Sequence, residues 1–92
     1  MPKYLIERTV PGANTLTKEE LRDIAVKSNG VVAGLGVPYI WEQTLVAGDK
    51  LYCIHDAPSA EEILRHGELG GFPVDTITEI ATTIGPWTGK AA

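Results

Sequence analysis

Six segments that alternate between strand-like and helix-like patterns occupy most of this chain of 92 residues. Residues 3–10, 39–46, 51–55 and 76–84 have strand character, with alternating side chains or many aromatic and β-branched residues. Residues 18–35 and 59–69 carry apolar residues at helical spacing. The order is therefore βαββαβ. We assign residues 1–87 to one domain and expect residues 88–92 to form a flexible C-terminal tail.

Both predicted helices have recognisable start signals. Thr17 and Glu20 stand three residues apart, as in a capping box, and Ser59 and Glu62 repeat this spacing. In a capping box the serine or threonine accepts a hydrogen bond from the third helical residue, and the glutamate side chain accepts one in return. These signals predict helices that begin at residues 18 and 60.

A βαββαβ order in a chain of this length predicts a ferredoxin-like α+β sandwich. Its four strands form an antiparallel sheet, and both helices cover the same face of that sheet. The other face is left uncovered, so its side chains decide what the domain can contact.

Alternation along each strand predicts which side chains lie on the uncovered face. In the third strand Tyr52 and Ile54 make the better core pair, which turns Cys53 and His55 outward. Glu7 is expected on the same uncovered face. A three-residue loop after Val46 would place Trp41 and Gln43 opposite His55 and Cys53. A two-residue turn would instead place Glu42 and Thr44 there.

The uncovered face would combine apolar Leu5 with these polar groups, and a monomer would expose this patch. Pairing of two such faces would bury the apolar members. The sequence therefore predicts a homodimer, assembled like a dimeric α/β barrel through the uncovered sheet face. In the last strand Ile80 and Ile84 are expected to point toward the helices, and Glu79 away from them.

Composition excludes several classes of function. Eight basic and twelve acidic residues give a net charge of −4, which argues against nucleic-acid binding. The mean hydropathy is +0.00 and no long apolar run is present, so we expect no membrane association. A single cysteine and the absence of a signal peptide lead us to expect a reducing, cytoplasmic location.

Cys53 and His55 are the residues most suited to bind a metal ion. Two residues apart on a strand, their side chains emerge on one face with backbones roughly 6–7 Å apart. A thiolate and an imidazole can bind one ion at about 2.0–2.3 Å, and nickel and zinc both accept such ligands. Glu7 is the expected third ligand. Alternatively, Cys53 is simply a small buried apolar residue.

His66 lies near the end of the second predicted helix. A histidine there is favoured by the helix dipole and by the free carbonyl groups of the last turn. As a metal ligand it would need a partner from a loop, from the tail or from another subunit.

Several blocks of the sequence resemble one protein family. They are residues 2–12, residues 16–21, Lys27 with Ser28, the segment around Trp41, residues 49–54, and residues 66–73. Together they resemble a family of small bacterial ferredoxin-like proteins of undefined function that includes an actinobacterial nickel-binding protein. The resemblance implies a homodimer and nickel binding with a role in sequestration. This family often has a histidine where the present chain has Gln43.

Three functions remain open at this point. The first is non-catalytic binding of nickel or another divalent ion such as zinc by Cys53, His55, Glu7 and His66. The second is a small enzyme that binds an organic substrate between sheet and helices and uses His55, Glu7 or Cys53 as acid, base or nucleophile. The third is a structural module whose uncovered face only dimerises.

Overall fold

The structure, a computed structural model, describes residues 1–90 and has the predicted βαββαβ order. The elements are β1 (Lys3–Thr9), α1 (Lys18–Gly34), β2 (Ile40–Ala47), β3 (Lys50–Asp56), α2 (Ala60–Gly70) and β4 (Thr76–Glu79). The strands form one antiparallel sheet in the order β2-β3-β1-β4. The predicted ferredoxin-like α+β fold is thereby confirmed. Two short 3-10 turns cover Ala13–Thr15 and Pro86–Gly89, and the last two residues of the predicted tail lie outside the described residues.

The start of α1 agrees with its sequence signal. The backbone N–H of Glu20 donates to Thr17 Oγ1 at 3.1 Å, and the N–H of Thr17 donates to Glu20 Oε1 at 2.9 Å. The second capping box is wrong, since the Ser59 side chain makes no cap hydrogen bond. Glu62 instead accepts from Arg65 Nε at 3.0 Å.

The end of α2 folds the chain back onto the helix. Gly71 adopts a left-handed conformation with φ of 69°, and the backbone N–H of Phe72 donates to the carbonyl of Gly67 at 2.8 Å. This pattern is a Schellman motif, which favours glycine because a Cβ is strained there. At Gly70 a Cβ would lie 2.2 Å from the Phe72 ring. Glycine at these two positions lets Phe72 pack against the inner side of α2.

The predicted face assignment of β3 is wrong. Leu51, Cys53 and His55 are buried on the helix-covered face, whereas Tyr52 and Ile54 are only partly buried on the uncovered face. The pairing with β1 explains this result, because Cys53 lies opposite Ile6 and His55 lies opposite Tyr4. Directly paired residues share a face, and both β1 partners are buried.

A β-bulge in β2 combines the two registers considered for this strand. Trp41 lies opposite His55, whereas Thr44 lies opposite Cys53, because the pairing shifts between Trp41 and Gln43. The connection to β3 is short, since Ala47 already pairs with Lys50. The short turn therefore places Thr44 on the helix-covered face, and the bulge brings Trp41 to the same face.

The last strand is shorter than predicted. It ends at Glu79, and Ile77 is the residue that pairs with Ile6 and packs against the core. The predicted inward position of Ile84 is wrong, since its side chain is 74% exposed. Within residues 1–90, no helix has both the length and the apolar character that crossing a membrane requires.

Candidate functional site

A cavity of about 240 Å³ lies between α1 and the inner face of β2 and β3. Leu21, Ile24, Ala25 and Ser28 of α1 line one side. The sheet, together with α2 and the loop after it, contributes the rest of the lining: Arg8, Trp41, Thr44, Val46, Leu51, Cys53, His55, His66 and Phe72. The cavity is thus mostly apolar, with a few polar groups that come from different elements.

Four rings pack together beside this cavity, and three of them, those of His55, His66 and Phe72, line it. The ring of His66 stacks between those of Tyr39 and Phe72, with centroid distances of 5.4 Å on both sides. His55 meets Tyr39 and His66 edge-on, at 5.3 and 5.2 Å. The Schellman motif at the end of α2 brings Phe72 into this cluster, and the pairing of β3 with β1 brings in His55.

Each histidine ring is held by one hydroxyl group. His55 Nδ1 shares a hydrogen bond of 2.5 Å with Tyr39 Oη, and His66 Nε2 shares one of 3.0 Å with Ser28 Oγ. His66 Nδ1 is buried and has no hydrogen-bond partner in residues 1–90. Such an orphaned nitrogen is rare and calls for an explanation.

Burial keeps both imidazoles neutral. It lowers the pKa of His55 to about 3, and the nearby His66 and Arg8 act in the same direction. Burial also lowers the pKa of His66 to about 4, assisted by the charge of Arg8. A neutral imidazole is the form that binds metal ions.

Cys53 lies at the floor of the cavity between a hydroxyl and a guanidinium. Thr44 Oγ1 donates to Cys53 Sγ at 3.1 Å, and Arg8 Nε approaches the same sulfur at 3.5 Å. Cys53 is 4% exposed and Arg8 is 3% exposed. The expected alternative for Cys53, a small buried residue, agrees with this burial.

The structure brings together three of the four predicted metal ligands and separates the fourth. Cys53, His55 and His66 line the cavity. Glu7 lies on the uncovered face, where its Oε2 accepts a hydrogen bond from Thr76 Oγ1 at 2.8 Å. The sheet stands between them, because Glu7 alternates with the inward-facing Ile6 and Arg8. Across residues 1–90, no three His, Cys, Asp or Glu side chains are placed so that they could hold one ion.

Sequence reasoning did not find Arg8, Tyr39 and Thr44 as members of this site. Arg8 could have been found, because strand alternation places it on the same face as Tyr4 and Ile6. The sequence pattern places Tyr39 at the start of the second strand, but in the structure it precedes β2, and no pattern linked its hydroxyl to His55. The two-residue-turn alternative placed Thr44 opposite Cys53, and only the structure shows that both side chains lie on the helix-covered face.

Comparison with known proteins identifies the family. The profile described as "Nickel responsive protein SCO4226-like" matches residues 4–80. The chain belongs to the SCO4226-like family. Among solved structures it is similar to SCO4226 from Streptomyces coelicolor A3(2), with a TM-score of 0.73 and 23% identity over 89% of this chain and 99% of that one. No curated protein matches it. The family resemblance expected from the sequence blocks is confirmed, and the structural similarity shows that the SCO4226-like fold is shared.

Proposed function

We propose that this SCO4226-like protein binds nickel, or a similar divalent transition metal, through Cys53, His55 and His66. The family description names a response to nickel, and one thiol with two imidazoles is a donor set that nickel and zinc accept. The observation that carries the proposal is the buried His66 Nδ1, which has no partner within residues 1–90.

The hydroxyl partners of the two histidines fit this role. Metal-binding histidines almost always donate their other ring N–H to a protein acceptor, which fixes the tautomer. When His66 Nε2–H donates to Ser28 Oγ, Nδ1 carries the free lone pair. When His55 Nδ1–H donates to Tyr39 Oη, Nε2 carries it. His66 Nδ1, His55 Nε2 and Cys53 Sγ are the atoms that would hold the ion.

Binding requires a rearrangement of these side chains, because the donors do not converge on one point. Cys53 Sγ also has to move away from the Arg8 guanidinium, whose charge opposes a cation at this sulfur. The ion is cargo in this proposal, so the protein sequesters it and catalyses no reaction.

A calorimetric titration of the metal-free protein with nickel tests the proposal. Wild type should bind nickel, and His66→Phe, which keeps a stacked ring, should lose at least about tenfold in affinity. Glu7→Gln is the matched control, since Glu7 lies on the opposite face of the sheet, and it should bind like wild type. Equal binding by wild type, His66→Phe and Cys53→Ser would contradict the proposal.

We also propose that the uncovered sheet face pairs with a second copy of the chain. This face carries Leu5, Leu45, Tyr52 and Ile54, and Leu45 is 55% exposed. Four large apolar side chains on adjacent strands form a patch of the kind that marks a protein interface, and the same face on each copy would give a twofold dimer.

The enzyme alternative finds less support. Cys53 and His55 make no hydrogen bond to each other, since their partners are Thr44, Arg8 and Tyr39. A nucleophile and its base are expected within hydrogen-bond reach. Glu7 does not line the cavity, so it cannot act on a substrate held there.

A further inference from the structure

Arg8 is a buried cation without an acidic partner. Its Nε approaches Cys53 Sγ and its Nη1 donates to the carbonyl of Pro73 at 2.8 Å. No Asp or Glu of residues 1–90 forms an ion pair with it. Buried charges are normally paired, and a guanidinium has five donors suited to a carboxylate or phosphate. Its position on the cavity wall therefore points to an anion from outside the chain.

The cavity around Arg8 is free of acidic groups although the chain as a whole is acidic. Its lining in residues 1–90 contains no Asp or Glu, whereas the chain has twelve acidic and eight basic residues. Lys27 supplies a second positive charge near Phe72. Its Nζ and the Cζ of Arg8 each lie 5.8 Å from the centroid of the Phe72 ring. The local charge is positive and suits an anionic ligand.

The remaining walls restrict the rest of the ligand. Leu21, Ile24, Val46, Leu51 and Phe72 offer an apolar surface. The volume of about 240 Å³ is smaller than the roughly 300–1,000 Å³ of pockets that hold drug-sized molecules. A nucleotide is too large, and an inorganic anion would leave the apolar walls without contacts.

We infer that this cavity binds a small organic acid, with the carboxylate on Arg8 and an apolar body between α1 and the sheet. This function is separate from nickel binding, because it depends on Arg8 and the apolar walls and does not require a metal donor.

The test uses the metal-free protein in the presence of a chelator, with benzoate, phenylacetate and hexanoate as probes. Each acid is compared with its own amide, which has the same shape but no charge. Binding is followed through the indole N–H signal of Trp41 in NMR spectra, since Trp41 lines the cavity. Trp87 is 63% exposed and serves as the internal reference. At least one acid should shift the Trp41 signal and bind at least about tenfold more tightly than its amide.

Three variants sharpen the test. Arg8→Met should abolish the preference for acid over amide, and Lys27→Gln, an exposed substitution that leaves the fold intact, should reduce it. Ala25→Leu should weaken acid and amide alike by filling the cavity. The chelator keeps metal ions out of the cavity, so an acid preference measured in this way does not depend on the metal proposal. Equal binding of all acids and amides to wild type, or no Trp41 shift with any probe, would overturn the inference.

Discussion

Each face of the sheet carries some residues that are unusual for its position. The helix-covered face buries Arg8, Cys53 and His55 on its strands and meets His66 from α2. The uncovered face instead presents Leu5, Leu45, Tyr52 and Ile54. A helix-covered face that only stabilised the domain would carry apolar side chains throughout, whereas here polar groups lie beside the apolar Ile6 and Leu51. This difference underlies our two proposals, that the inner face binds a ligand and that the outer face pairs with a second copy.

Lowering the pH should reduce the stability of the fold more than any of the substitutions proposed below, because the inner face buries two neutral histidines. The pKa values of His55 and His66 fall from 6.5 to about 3 and about 4 on folding. The unfolded chain therefore binds more protons below about pH 6.5. Stability is complete above that pH and falls as the pH drops toward the folded values, by about 1.4 kcal/mol per histidine for each pH unit.

Urea unfolding between pH 7.5 and pH 4.5 measures this effect, and His66→Phe is the control. This variant removes one of the two groups, so its loss of stability per pH unit should be about half that of wild type. The same slope in both proteins would show that the inner histidines do not cause the acid sensitivity.

A charge on the outer face should break the proposed dimer. Leu45→Lys places a cation in the apolar patch, and we expect the association to weaken at least about 100-fold, or about 2.8 kcal/mol. Sedimentation equilibrium over a range of concentrations measures it. Val26→Lys changes a residue that is 61% exposed on α1 and should leave the association unchanged. A monomeric wild type at micromolar concentration would contradict the dimer proposal.

Closing the space beside Phe72 should destabilise the inner ring cluster. Gly70→Ala puts a Cβ where the Phe72 ring now lies, so the ring has to leave its stack on His66, at a cost of about 1–3 kcal/mol. Gly34→Ala is the matched control in α1, where nothing lies within 4 Å of the added Cβ. It should stabilise the protein by up to about 1 kcal/mol. Thermal unfolding of both variants compares them, and equal stability would show that the stack contributes nothing.

The smallest expected effect concerns the helix that covers the inner face. Thr17→Ala removes the observed cap of α1 and should cost about 1 kcal/mol. Ser59→Ala should change the free energy of unfolding by less than about 0.5 kcal/mol, because Ser59 makes no cap hydrogen bond. Urea unfolding resolves this difference. A larger loss in Ser59→Ala than in Thr17→Ala would reverse the assignment of the two caps.

The sequence alone determined the order of elements, the ferredoxin-like sandwich and the start of α1. These features depend on local signals: the period of apolar residues, a capping box at Thr17 and Glu20, and turn residues between strands. The same local patterns grouped Cys53 with His55, because residues two apart on a strand share a face. They also predicted the partly apolar character of the uncovered face around Leu5.

Only the tertiary structure decided which face received Cys53 and His55. Hydrophobicity favoured burying Tyr52 and Ile54, and a shift of one residue in a strand exchanges the two faces. The register with β1 placed Cys53 beside Ile6. The short turn before β3 placed Thr44 opposite Cys53, and the chain reversal after α2 brought Phe72 to His66. Hydrogen bonds to Tyr39, Ser28, Thr44 and Arg8 reduce the cost of burying these polar groups, although His66 Nδ1 has no partner within residues 1–90. Most of those partners come from distant parts of the chain, so local patterns could indicate the inward position of Arg8 but not that of Cys53 and His55.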